Sequence, residues 1–207
     1  LPAGNKRGAL DTIAELAGRH DIVGLQEADP GSLRSGFTNQ THYLAERGGF
    51  AYWSHQPNRR MGGVASSANG LLSKFEPREV VNHALPGRVR GRGVLLATFG
   101  NGADALAIAV AHLSLGAQSR RSQVDFIAEL LGDHPHAVLM GDFNVAPEDR
   151  DVYDPVAWAG QIHCTPEERA HFRALCGLGL VDAFRLFEQP PKSWSWWDYR
   201  NLAFRKN

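Results

Sequence analysis

The stretch Ala137-Val138-Leu139-Met140-Gly141-Asp142-Phe143-Asn144 decides how this chain is read. Its first four residues are apolar and predict a buried strand, which Gly141 ends. Asp142 and Asn144 lie two apart, so on extended backbone they point to the same side. A carboxylate beside a carboxamide at the open end of a buried strand suits hydrolysis. The carboxylate can take a proton from water, and the amide can fix that carboxylate or a substrate oxygen. The same pair also suits a plain strand-to-loop turn, because Asp and Asn both favour turns.

Two other strand ends carry polar groups. Residues 8–20 predict a helix with Leu10, Ile13, Ala14 and Ala17 on one buried face, followed by a short strand over 21–27 that closes on Gln26 and Glu27. Residues 94–99 and 105–113 are apolar runs around Asn101-Gly102, the signal of a β-hairpin, and the second run ends in His112-Leu113. Short strands are also expected at 51–54, 70–73 and 79–83, and helices at 41–47 and 119–131, the latter burying Val124, Ile127, Ala128 and Leu131. Residues 57–67, rich in Gly, Arg and Ser, read as a mobile loop. A second loop, 86–93, carries Arg88, Arg90 and Arg92. It reads either as ordinary solvated charge or as a phosphate clamp, since guanidinium matches phosphate geometry.

The last third is more polar. The acidic run at 147–155 lacks the glycine and terminal glutamate of a calcium loop. Thr165-Pro166-Glu167-Glu168 predicts a helix start with a capping box, and Gly177 a stop. His163, Cys164, His171 and Cys176 match no zinc spacing. Residues 180–187 predict a short amphipathic helix. Residues 194–199 predict an aromatic strand in which core packing claims at least one ring.

Composition narrows the class. The chain has 207 residues, 43% of them hydrophobic, with 22 Lys plus Arg against 22 Asp plus Glu. That is enough for one domain with an ample core, here 1–207 without repeats or linker. Zero net charge provides no global field for nucleic acid, so phosphate binding must come from local clusters. Two cysteines make no disulfide framework. No apolar run approaches a membrane span and no signal peptide is visible, so a cytoplasmic location is expected. Many short strands with several amphipathic helices imply two packed sheets flanked by helices.

Glu27 closing an early strand, His112 a middle one and Gly141-Asp142-Phe143-Asn144 a later one resemble, in order and spacing, the endonuclease/exonuclease/phosphatase superfamily. That superfamily includes DNase I, exonuclease III, abasic-site endonucleases and neutral sphingomyelinases. The resemblance implies an α/β fold, a four-layered α-β-β-α sandwich, and Mg²⁺-dependent cleavage of phosphoesters, with Mn²⁺ as a substitute. Glu27 matches the family's metal-binding glutamate. His112 matches a histidine that contacts the scissile phosphate, Asp142 the aspartate that orients or deprotonates water, and Asn144 its companion. Arg92 is the substrate-binding candidate of the arginine loop. Trp196 matches an aromatic residue lining the sugar pocket of abasic-site enzymes, and Trp197 is expected in the core. A carboxylate without a Cys or His cluster independently selects a hard ion such as Mg²⁺.

The family's first strand, with a metal-site asparagine, and its late Asp-His pair have no counterpart here. The chain is therefore expected to be a piece truncated at both ends, lacking the first and last strands. Residues 21–131 are most similar to the phosphatase or sphingomyelinase-like branch, and residues 141–207, notably Trp196-Trp197-Asp198-Tyr199-Arg200, to exonuclease III. The expected function is a Mg²⁺-dependent nuclease acting on DNA. The alternatives are a hydrolase of small or lipid phosphoesters and a catalytically inactive binding module.

Overall fold

A computed structural model describes residues 3–61, 65–88 and 91–196. The first sheet contains β1 (Ile22–Ala28), β2 (Tyr52–Met61) and β3 (Ala65–Ser73) in the order β1-β3-β2, all antiparallel. The second contains β4 (Glu79–Ala84), β5 (Gly93–Phe99), β6 (Leu106–His112) and β7 (His136–Asp142), in sequence order. Its only parallel pair among the described residues is β6 with β7, joined by the crossover helix α3 (Ala117–Gly132). Helices α1 (Ala3–Ala17) and α2 (Gln40–Gly48) precede it, and α4 (Pro155–Trp158) and α5 (Pro166–Cys176) follow.

Strand periodicity builds the layers. Leu71 of β3 and Leu95, Ala97, Ile108 and Val110 of β5 and β6 meet between the sheets. Their neighbours Val94, Leu96, Ala107 and Ala109 point the other way, onto Val124, Ile127 and Leu131 of α3 and Leu175 of α5. Leu72 turns outward onto Ala14, Ala17, Leu44 and Ala45 of α1 and α2. The order is therefore helices, sheet, sheet, helices, the expected four-layered sandwich. β5 and β6 read as unbroken apolar runs because both of their faces are buried.

Several local expectations need correction. The loop predicted over 57–67 is largely hairpin: β2 and β3 pair as far as Met61 with Ala65, with an irregularity between Pro57 and Arg59. β2 is an edge strand, where a proline at a bulge is tolerated, so the Pro, Ser and Arg content concealed a strand. β5 and β6 do pair, but through a longer loop with a 3-10 turn at Gly102–Asp104 instead of a two-residue turn. Ile13 is 44% exposed, because α1 packs through its small residues Ala14 and Ala17. The helix expected at 180–187 is a 3-10 turn, Ala183–Leu186, capped by the Asp182 side chain. The aromatic strand expected at 194–199 is irregular as far as Trp196, whose N–H donates to Asp151 O at 3.1 Å, so this backbone is satisfied without a ladder. Residues 197–199, with Asp198 and Tyr199, lie outside the described residues, as do Arg90 and Arg200.

The start of α5 is as expected. Thr165 Oγ1 accepts the Glu168 N–H at 3.2 Å, and Glu168 Oε2 accepts the Thr165 N–H at 3.1 Å.

Candidate active site

The site forms where β1, β6 and β7 end together. β1 crosses the second sheet at close range: a Cβ on Gly24 would lie 2.6 Å from Met140 Sδ and 3.3 Å from a Val110 methyl. From that crossing, Glu27 is three residues on, and Asp142 and His112 are two residues on along their own strands. Asp142 and His112 are register partners in the parallel pair. His112 Nε2 approaches Asp142 Oδ2 at 3.5 Å, with the imidazole buried and the carboxylate half exposed. Glu27 is exposed and has a φ of 57°, a left-handed conformation that turns the chain at this edge.

β7 continues through Gly141 to Asp142 instead of ending at Gly141. At that glycine φ is 144°, and a Cβ would meet Ala111 O at 1.8 Å, so only glycine lets β7 lie this close to β6. The turn comes at Asn144, with a φ of 52°, so Asp142 and Asn144 do not share extended backbone. The Asn144 main-chain N–H donates to Asp142 Oδ1 at 2.9 Å, and its carboxamide Nδ2 donates to Leu113 O at 2.7 Å. Asn144 thus holds the Asp142 carboxylate through its backbone and the chain beyond His112 through its side chain.

Burial lowers the His112 pKa below 6.5, and the Arg92 guanidinium lowers it further. The carboxylates of Asp142 and Glu27 oppose both effects. The imidazole is therefore neutral at neutral pH, with Arg92, Asp142 and Glu27 all acting on its charge. Replacing Arg92 by Ala is expected to move the His112 midpoint back toward 6.5, read by NMR titration of the ring. An unchanged midpoint would place Arg92 away from the site. The unfolded chain binds this proton more readily, so His112 contributes stability above pH 6.5 that is lost as pH falls through the lower folded value.

Beyond Asp142 lies a cavity of about 780 Å³, lined by Asp142, Asn144, His163, Phe172 and Trp196 among others. Trp196 meets Trp158 edge-on at 4.3 Å between ring centroids and tilts against His163 at 5.4 Å. Its ring is thus both cavity wall and part of the cluster around Ala146, Val152 and Cys164.

Residues 113–115 are held by side chains that strand-end reasoning did not single out. Arg120, fully buried, donates from Nε to Ser114 O at 3.1 Å and from Nη2 to Leu115 O at 2.7 Å, and it pairs with Glu168 at 3.1 Å. Gln123, also buried, accepts the Ser114 N–H at 2.8 Å. The available signal was their place on the apolar stripe of α3, one and two turns before Ile127, where polar residues need partners. Asp151, read as one of an acidic run, is buried and accepts from Arg185, from Ser195 Oγ at 2.6 Å and from Glu148 N–H at 2.8 Å.

Glu27 is an exposed oxygen donor at this edge, beside the half-exposed Asp142 carboxylate, and no group of three or more His, Cys, Asp or Glu among the described residues could cage a metal. An exposed carboxylate at this edge fits Mg²⁺, which keeps several waters and takes one or two carboxylates together with substrate phosphates. It does not fit zinc, which takes three or four nitrogen or sulfur ligands.

A four-layered α/β sandwich with acidic and imidazole side chains gathered at one edge of its strands defines a class. The Endonuclease/Exonuclease/phosphatase family profile matches residues 2–206, and the chain belongs to that family. It is 35% identical over 77 residues to exodeoxyribonuclease III of Haemophilus influenzae, covering 34% of this chain and 29% of the relative. It is 32% identical over 91 residues to an exodeoxyribonuclease of Bacillus subtilis, covering 44% and 36%. These matches span little more than a third of the curated relatives at most. A 3′-5′ exonuclease from Neisseria meningitidis superposes with a TM-score of 0.70 at 24% identity, over 98% of this chain and 78% of that one. An AP endonuclease from Archaeoglobus fulgidus gives 0.70 at 19%, over 97% and 77%. At these identities the likeness is one of fold. No helix among the described residues is long and apolar enough to cross a membrane.

Proposed function

We propose that this chain forms the core of a phosphodiester hydrolase acting on DNA, of the exonuclease III and abasic-endonuclease kind, with Mg²⁺ or Mn²⁺ as cofactor. The observation that carries this reading is that His112 and Asp142 pair at a strand edge, within the electrostatic influence of Glu27 and Arg92 and beside a cavity walled by Trp196. The exodeoxyribonuclease relatives support DNA as the substrate class.

Each side chain then has a task. Asp142, held by the Asn144 N–H, takes a proton from the attacking water. Water oxygen bonds to phosphorus as the bond to the leaving sugar oxygen breaks, and the departing alkoxide takes a proton from solvent water, giving a phosphomonoester and a hydroxyl. Neutral His112 donates a hydrogen bond to a phosphate oxygen while resting against Asp142. Arg92 offsets the phosphate's charge. Glu27 would hold the cation, which when bound neutralises charge building on the phosphate oxygens. The ring of Trp196 offers an apolar wall to a base-less sugar or a stacking face to a base.

The test is cleavage of abasic or nicked duplex in Mg²⁺ beside hydrolysis of a small phosphodiester. Turnover of the small ester without DNA cleavage would favour the second reading, a small or lipid phosphoester hydrolase, which zero net charge favours. Trp196→Ala is expected to impair abasic cleavage much more than small-ester hydrolysis. Equal losses with a lowered melting temperature would assign the ring to the core, where truncation costs roughly 3–5 kcal/mol.

A further inference from the structure

One buried amide on α3 touches both halves of the phosphate-facing edge. Gln123 Oε1 accepts the Ser114 N–H at 2.8 Å, two residues after His112. Its Nε2 donates to Ser114 Oγ at 2.9 Å and to Pro86 O at 2.9 Å, and Pro86 opens the loop that carries Arg92. The first three residues of that loop, Pro86 to Arg88, lean on α3. Arg88 N–H donates to Ser119 Oγ at 3.3 Å, and a Cβ on Gly87, whose φ is 143°, would lie 3.1 Å from the Ser119 Cβ and 3.3 Å from Gln123 Nε2. Its base is closed by Leu85 N–H on Arg92 O at 2.9 Å.

We propose that Gln123 is a positioning residue that sets the arginine loop against the His112 strand end, so that Arg92 and His112 reach the same phosphate; this rests on the phosphodiesterase reading. Packing alone would call for an apolar side chain at this point of the stripe, since burying a carboxamide without partners is costly. All three bonds of this amide go to the two segments that bear the phosphate-binding groups. The loop also reaches the strand end through the β5–β6 ladder, where Val94 pairs with Ala111, and Asn69 Nδ2 donates to Gly93 O at 2.8 Å and to Val110 O at 3.3 Å; Gln123 adds the link from the α3 side, at Pro86 and Ser114.

Two variants separate the halves. In Gln123→Glu a carboxylate still accepts from Ser114 but cannot donate to Pro86 O. In Gln123→Met both are lost. Amide exchange by NMR reads the positioning directly. In the Glu variant, Leu85 and Arg88 are expected to exchange at least about tenfold faster while Ser114 and Ile127 keep their protection. In the Met variant Ser114 exchanges faster too. In kinetics on a phosphodiester oligonucleotide, the Glu variant is expected to raise KM about tenfold with kcat little changed, and the Met variant to lower kcat as well. Unchanged exchange at Leu85 and Arg88, or a uniform rise across α3 with a lower melting temperature and unaltered KM, would overturn the proposal and leave Gln123 as structural filling. If the wild-type protein cleaves no phosphodiester, the exchange data still decide the positioning, and only the hydrolase reading fails.

Discussion

Asp142→Asn is expected to keep the fold and lose roughly 10²- to 10⁴-fold in turnover, the usual contribution of a general base. The substituted amide can still accept the Asn144 N–H that now bonds Asp142 Oδ1 at 2.9 Å, so the turn at 141–144 survives. What is lost is the capacity to take a proton from water. The change also removes a carboxylate that raises the His112 pKa, so the imidazole midpoint falls further below 6.5. Single-turnover cleavage and ring titration on the same variant check both effects. A loss of less than about tenfold would mean that another group is the base.

Glu168→Ala is expected to destabilise the fold by about 3–5 kcal/mol, the range for breaking one side of a buried ion pair. Glu168 is buried and pairs with fully buried Arg120 at 3.1 Å, while its other oxygen caps α5. Truncation strands a guanidinium in the interior and removes half of the capping box. Arg120 also donates to the carbonyls of Ser114 and Leu115, so the backbone beyond His112 loosens with it. Urea denaturation measures the loss. Replacing both partners by apolar residues, Arg120→Met with Glu168→Leu, is expected to recover most of the stability, since the penalty lies in the unpaired charge. A single-variant loss under about 1 kcal/mol would show that water reaches Arg120.

The layers and the polar strand ends were legible because they follow short periods. The unbroken apolar runs at residues 94–99 and 105–113, the apolar spacing along α3 and the Thr165 capping box each act within a few neighbouring residues. Glu27, His112 and Asp142 could be singled out for the same reason: each closes an apolar run. What could not be read is anything decided by distant partners. The extension of β2 through Pro57 to Met61 depends on its place at a sheet edge, which only the pairing with β3 fixes. The two-residue spacing of Asp142 and Asn144 predicted a shared face, but the left-handed turn at Asn144 and the hydrogen bond to Leu113 override it. Arg120, Gln123 and Asp151 carry no motif, and their importance arises from carbonyls and hydroxyls many residues away.

Phosphodiester cleavage as proposed requires that Glu27, His112 and Asp142 act as one site. The direct measurement is the Mg²⁺ dependence of abasic-duplex cleavage by the wild type and by Glu27→Gln. Chelation is expected to abolish cleavage. Glu27→Gln is expected to shift the half-saturating Mg²⁺ concentration upward by at least about tenfold, because a neutral amide is a poorer ligand for a hard cation than a carboxylate. Cleavage that persists in chelator, or a Glu27→Gln variant with the wild-type Mg²⁺ dependence, would contradict the single site.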